Sequence, residues 1–204
     1  MSFTQNRSSV TNTKKLALMA ILTAVMIVLG LWNIPMPAGL SITFNMIPVA
    51  IAAIAMGVSG GIAMGAVFGL ISFLQCFGVC GSSPMGIALV SEAPVWMSFV
   101  QRFVSRVLMG LLVALIDGSV KKHVNTGVRG AVTGFSAAFL NTLLFMSLLV
   151  LLFGQTEYMQ GKMAGRAFLT YLVASVGVNG LVEMAVAAFL TSAVAAALKK
   201  ARMI

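Results

Sequence analysis

The sequence predicts an all-α integral membrane protein, a six-transmembrane-helix bundle with both termini cytoplasmic. Three observations carry that prediction. Of the 204 residues 60% are apolar. Only 13 basic and 4 acidic residues are present, 8% of the chain, against about 25% in a soluble domain. A surface so poor in charge could not be solvated by water. At roughly 20 apolar residues per helical span, the apolar content suffices for roughly six crossings. The third observation is where the basic residues fall. Arg7, Lys14 and Lys15 precede the first apolar run, Lys121, Lys122 and Arg129 share one polar gap, and Lys199, Lys200 and Arg202 close the chain. Basic clusters flanking apolar runs mark cytoplasmic ends. The net charge of +9 is therefore spread along span ends and forms no nucleic-acid-binding patch.

Residues 1–13 are polar and read as a mobile cytoplasmic N-terminus, leaving 14–204 as a single membrane domain. Span 1 runs from Leu16 to Trp32; it is long for a signal peptide and lacks a clean cleavage site. Asn33 to Asn45, broken by Pro35, Pro37 and Gly39, reads as a loop. Met46 to Met56 is apolar but about half a span long. A break or kink at Gly57–Gly61 separates it from span 3, Ile62 to Cys76. Short, glycine-interrupted segments of this kind belong beside a cavity, because irregular backbone cannot face lipid.

Phe77 to Val95, rich in Gly and Pro with Glu92 its one charge, reads as a long outer binding loop. Span 4 runs from Trp96 to Ile116, and Asp117 to Arg129 reads as the basic inner loop. Span 5 is Gly130 to Phe153, Gly154 to Arg166 is a second outer loop, and span 6 is Ala167 to Leu198, long enough to imply tilt or a cytoplasmic extension.

Several chemistries are missing. No G-x-x-x-x-G-K-[ST] phosphate loop occurs, so the chain cannot power transport with ATP alone. The single His123 lies in the basic loop, no H-E-x-x-H pattern or carboxylate pair is present, and neither an enzyme nor a metal or other cofactor is expected. Cys76 and Cys80 make an incomplete metal motif and read as small apolar residues, with a disulfide left open.

The informative residues are polar ones inside the spans. Arg102 and Arg106 are i and i+4 on span 4, and a charge at mid-bilayer costs on the order of 3 kcal/mol even on a lenient scale. Such a pair must face the bundle interior, a wet cavity or a partner. Counting at 1.5 Å per residue puts Arg102 about 9 Å and Arg106 about 15 Å below Trp96. Asn141 falls about 18 Å from the inner end of span 5, with Asn179 and Glu183 about 18 and 24 Å below the outer start of span 6. Arg106, Asn141 and Asn179 thus share one level. With Trp96 at the outer end of span 4, these six residues form the candidate solute-binding set. Arginine offers a planar fork to a carboxylate, and asparagine a donor and an acceptor. An Arg106–Glu183 structural ion pair stays open beside the solute role. Small residues are the second signal: Gly61, Gly65 and Gly69 on span 3 read as packing within the bundle, while Ala20 and Ala24 on peripheral span 1 suit another membrane subunit.

Several stretches together resemble the substrate-binding S component of energy-coupling factor (ECF) vitamin transporters, most of all its pantothenate branch. They are Lys14-Lys-x-Ala-x-x-Ala20 continuing to Ala24, Ile47-Pro48, and Gly57-x-x-x-Gly61-x-x-x-Gly65. Arg106-Val-Leu-Met-Gly110, Asn141-Thr142 and Asn179-Gly-x-x-Glu183 complete them. Ser105 stands where the family pattern has proline, and Arg102 is an addition. The resemblance implies a vitamin captured from outside between spans 4 to 6, with pantothenate the first choice. Ala20 and Ala24 would dock a membrane T component coupled to two cytoplasmic ATPases, all in a prokaryotic plasma membrane. Riboflavin, folate or cobalamin as the solute, a self-sufficient ion-coupled secondary transporter, and a scaffold subunit are the alternatives.

Overall fold

The first helix, α1 (Ser2–Leu31), leads into a two-residue antiparallel pairing of β1 (Ile34–Pro35) with β2 (Ser41–Ile42), in register Ile34 to Ile42. The computed structural model describes the backbone of residues 2–31, 34–35, 41–163, 168–201 and 203–204, and the side chains of 13–31, 43–163, 177, 180–201 and 203–204. Trp32 and the Pro37–Gly39 part of the expected loop lie outside the described residues. So do the side chains of the polar N-terminus up to residue 12.

Then follow α2 (Met46–Met56), α3 (Val58–Leu74) with a 3-10 turn at Gln75–Phe77, and α4 (Pro84–Glu92). A rod comes next, made of α5 (Val95–Phe99), a π-helical turn (Val100–Val104) and α6 (Ser105–Val120). The chain continues through α7 (Thr126–Phe153), α8 (Glu157–Met163) and α9 (Phe168–Lys200).

Among the described residues five stretches are long and apolar enough to cross a membrane: Thr13–Leu31, Val58–Phe77, Val95–Val120, Thr126–Phe153 and Gly180–Lys200. The remaining predicted crossing, the short apolar segment between spans 1 and 3, is α2, which has only 11 residues and so rises about 16 Å. It survives because protein surrounds it: every residue from Met46 to Ile54 is buried, against α3, α6, α7 and α9. Pro48 sits in its first turn, where an amide N–H has no intrahelical acceptor to lose. Gly57 provides the expected break, with φ 68° and ψ −146°, a conformation closed to residues with a side chain.

The glycine stripe of α3 packs inside the bundle as predicted. A Cβ on Gly65 would strike the carbonyl oxygen of Arg106, one on Gly61 that of Gly110, and one on Gly69 would come within 2.8 Å of Phe103 Cα. Backbone therefore lies on backbone along α3 and the rod, and the arginine-bearing turns are seated by that contact. The main core gathers Leu22 and Met26 of α1 with α2, Met64, Phe68, Met109, Val113 and Ala137.

Three segments depart from the expected loops. Phe77–Val95 holds α4: Ser83 Oγ accepts a hydrogen bond from the Gly86 amide at 3.2 Å and Pro84 opens the helix. A capping serine followed by proline at the first helical position is a start signal, which the density of Gly and Pro had masked. Gly154–Arg166 similarly contains α8. The inner loop Asp117–Arg129 shrinks to 121–125, since α6 runs to Val120 and Asn125 caps α7 by accepting from the Val128 amide at 2.9 Å. Span 6 is a bent helix, with Gly177 non-helical at φ 14° and ψ −127°.

Candidate functional site

The site begins with the π turn. Widening the helix at Val100–Val104 leaves Gln101, Arg102, Ser105 and Arg106 all buried. Such single wide turns often occur at functional sites. Ser105 Oγ donates back to the Gln101 carbonyl at 2.5 Å and accepts from Arg106 Nη1 at 2.8 Å.

Arg106 is 6% exposed, with its guanidinium carbon 4.3 Å from the Phe145 ring centroid and 5.1 Å from that of Phe68. Its Nε has no hydrogen-bond partner among the described residues. Arg102 is 4% exposed and lies 5.8 Å from the same Phe145 centroid. It donates from Nη1 to the Ser72 carbonyl and hydroxyl at 3.0 and 3.3 Å, and from Nη2 to Ser83 Oγ at 2.9 Å. Phe145 stands one turn beyond Asn141 on α7, so both belong to the face that meets the arginines. Asn141 is buried with Oδ1 unpartnered, and Gln101 is 1% exposed with Nε2 unpartnered.

Aromatic faces can offset about 2 kcal/mol of a buried guanidinium's cost, which leaves most of its desolvation uncompensated. No carboxylate closes that gap. Among the described residues the one ion pair is Arg129–Asp117 at 2.6 Å, at the far end of α6. Glu183, partly buried, accepts from the Thr43 amide at 3.3 Å. The Arg106–Glu183 pair that the sequence left open is not formed. Two neighbouring buried cations, and the buried amides of Gln101 and Asn141 with one unpartnered atom each, are groups that an anion carrying neutral polar groups would satisfy.

Arg102 and Arg106 are thus brought together around Phe145, and Asn141 lies one turn before that ring on α7. The side chain of Asn179 lies outside the described residues, one turn before Glu183 on α9. Trp96 is 57% exposed on α5 and stands apart from the arginines. Ala20 and Ala24 are exposed on α1, on the side away from the buried Leu22 and Met26. Cys76 and Cys80 are free thiols, and no group of three His, Cys, Asp or Glu side chains suited to a metal occurs among the described residues. A cavity of about 510 Å³ opens between the α4–α5 corner and the α7–α8 corner, lined by Glu92, Pro94, Met97, Leu152, Gln155 and Glu157. Its two carboxylates suit a vestibule better than an anion's resting place.

Sequence reasoning missed Gln101, Phe68, Phe145, Ser72 and Ser83. Phe145 was within reach, since an aromatic at i+4 from a buried asparagine shares its face. The others depend on how α3 and α4 fold against the rod.

The sequence pattern of the family described as ECF transporter, substrate-specific component, matches residues 14–195. The chain belongs to that family. A curated relative, the pantothenic acid transporter PanT of Lactococcus lactis subsp. cremoris (strain MG1363), is 31% identical over 203 residues, covering 91% of this chain and 94% of the relative. As an ECF substrate-specific component the chain is a transport protein and not an enzyme. With five membrane-length helices among the described residues, it is a multi-pass protein of the prokaryotic plasma membrane.

Proposed function

We propose that this chain is the solute-capturing subunit of an ECF importer and that its solute is pantothenate. The observation that carries the reading is the buried pair Arg102 and Arg106, with no carboxylate partner among the described residues and an unpartnered Nε on Arg106. Pantothenate supplies one carboxylate for the guanidinium, and an amide and hydroxyls for Asn141 and Gln101. The name of the 31% identical relative points to the same solute. Asn179 and Glu183 complete the solute's surroundings from α9, and Trp96 marks the outer membrane interface. In this reading α2 completes a six-helix bundle with both termini cytoplasmic, as the basic clusters require.

The test is a thermal-shift and calorimetric screen of the purified chain against pantothenate, riboflavin, folate and cobalamin. Pantothenate alone is expected to raise the unfolding midpoint. Stabilisation by another vitamin would move the assignment to that solute, and stabilisation by none would sink the capture reading. The chain alone in proteoliposomes is expected not to accumulate pantothenate under a proton or sodium gradient; sustained accumulation would make it a secondary transporter instead.

Transport then requires a membrane T component and two cytoplasmic ATPases, docked through the exposed Ala20–Ala24 face. Small residues there let a partner helix approach closely. Ala20→Trp or Ala24→Trp is expected to reduce co-purification of a T component at least tenfold while leaving solute affinity intact. Unchanged assembly together with lost binding would show that this face packs within the chain.

A further inference from the structure

We propose that Arg102 is a positioning residue rather than a solute ligand: its guanidinium ties α4 down beside the arginine site, and the opening of that tie sets how fast solute escapes. The proposal deepens the reading above and rests on it. The two arginines are not equivalent. Arg102 commits both terminal nitrogens to protein, with Nη1 on Ser72 and Nη2 on Ser83. Arg106 makes one hydrogen bond and keeps a buried, unpartnered Nε.

The acceptor on α4 is also the atom that starts that helix. Ser83 Oγ receives the Gly86 amide at 3.2 Å and Arg102 Nη2 at 2.9 Å, one for each of its lone pairs. Meanwhile α4 rests on the guanidinium itself. A Cβ on Gly86 would lie 2.7 Å from Arg102 Nη2 and 2.9 Å from Cys76 Sγ, so a side chain there would have to displace the guanidinium. Lifting α4 therefore uncovers both the guanidinium and the buried thiol. The other holds on α4 are apolar packing, Met85 and Leu89 against Met146, Leu149, Phe153 and Met159, and a hydrogen bond at its end, where Glu92 Oε2 accepts from the Tyr158 amide at 3.0 Å. A nine-residue helix depends on such tertiary contacts, and an element with few of them opens locally before the core does. Opening of a cover that encloses a solute governs its release rate.

Cys76 is a built-in reporter of that opening. On a Cys80→Ala background it is the chain's remaining thiol, and its alkylation by N-ethylmaleimide reads how often α4 lifts. Ser83→Gly removes the acceptor of Arg102 yet keeps a tolerated capping residue, at a cost of a few tenths of a kcal/mol. It is expected to speed Cys76 alkylation in the solute-free protein about tenfold, the loss of one hydrogen bond to a charged group. Pantothenate dissociation should accelerate by a similar factor while its equilibrium affinity falls less, because entry is faster too. Ser83→Thr, which keeps the hydroxyl, should retain wild-type rates. Arg102→Gln should add little to Ser83→Gly, since both break the same contact.

Unchanged Cys76 alkylation in Ser83→Gly would overturn the tether. A loss of affinity in Arg102→Gln with Cys76 alkylation unchanged would do so as well, and would return Arg102 to the solute. If pantothenate does not bind at all, the solute reading fails by itself, while alkylation rates of the solute-free protein still decide whether Arg102 holds α4. If Arg102→Gln does not fold, the two Ser83 variants carry the test.

Discussion

Arg106→Gln is expected to weaken pantothenate binding by roughly tenfold to a hundredfold or more, measured by titration calorimetry on folded protein. A hydrogen bond to a charged group contributes about 1.5–3 kcal/mol, and 1.4 kcal/mol is a factor of ten. Glutamine keeps a donor about where Nε stands but is two atoms shorter and loses the charge that a carboxylate needs. The solute-free protein should hold its unfolding midpoint or gain slightly, because the variant removes one of two adjacent buried cations. Adding Glu183→Gln should restore nothing, since Glu183 accepts from the Thr43 amide and not from Arg106. Wild-type affinity in the single variant, or recovery in the double, would remove the arginine face from the solute site.

Asp117→Asn should act at the other end of the bundle and on stability alone. Arg129 donates from Nε and Nη2 to the two Asp117 carboxylate oxygens at 2.7 and 2.6 Å, and from Nη2 to the Ile54 carbonyl at 3.0 Å. One ion pair thus ties α6, α7 and the end of α2 together, with Thr133 Oγ1 3.2 Å from the same carboxylate. Removing one member of a buried pair leaves the other charge stranded, at a cost of about 3–5 kcal/mol. Arg129 retains some solvent access, so the lower end of about 3 kcal/mol is expected, a fall in unfolding midpoint on the order of 10 °C. The apolar double variant Asp117→Leu with Arg129→Met should regain most of that loss. Solute affinity should stay within twofold, because Asp117 lies 11 residues and so about 16 Å along the helix from Arg106. A small change in midpoint would mean that the pair is solvated and marginal; a large change in affinity would mean that the two ends of the rod are coupled.

Much of the membrane architecture was legible because it depends on sums and on local signals. Charge content decides whether water or lipid can solvate a surface, whatever the fold. A break at Gly57 was legible because glycine readily adopts conformations, here φ 68° and ψ −146°, that end a helix and that other residues avoid. The burial of Arg102 and Arg106 follows from their cost in lipid alone. The stripe Gly61, Gly65 and Gly69 announces a close helix contact without saying with what.

Composition and local signals thus set the solvent, the approximate limits of the apolar segments, and the demand that certain polar groups turn inward. Tertiary structure decided the partners. Glu183 and Asp117 are both acids beside membrane helices, and nothing in their local sequence says that Asp117 pairs with arginine while Glu183 takes a backbone amide. The glycine stripe of α3 could face any neighbour, and its meeting with the Arg106 turn fixes the height at which both arginines reach Phe145. Helix α4 has a start signal of its own, yet its place over Arg102 depends on an apolar cluster drawn from α7 and α8 and on one glycine thin enough to let the backbone down. Hydrogen bonds and ion pairs reach about 3 Å, so they are settled only when the helices have docked, and docking is a property of facing surfaces that no single stretch of chain contains.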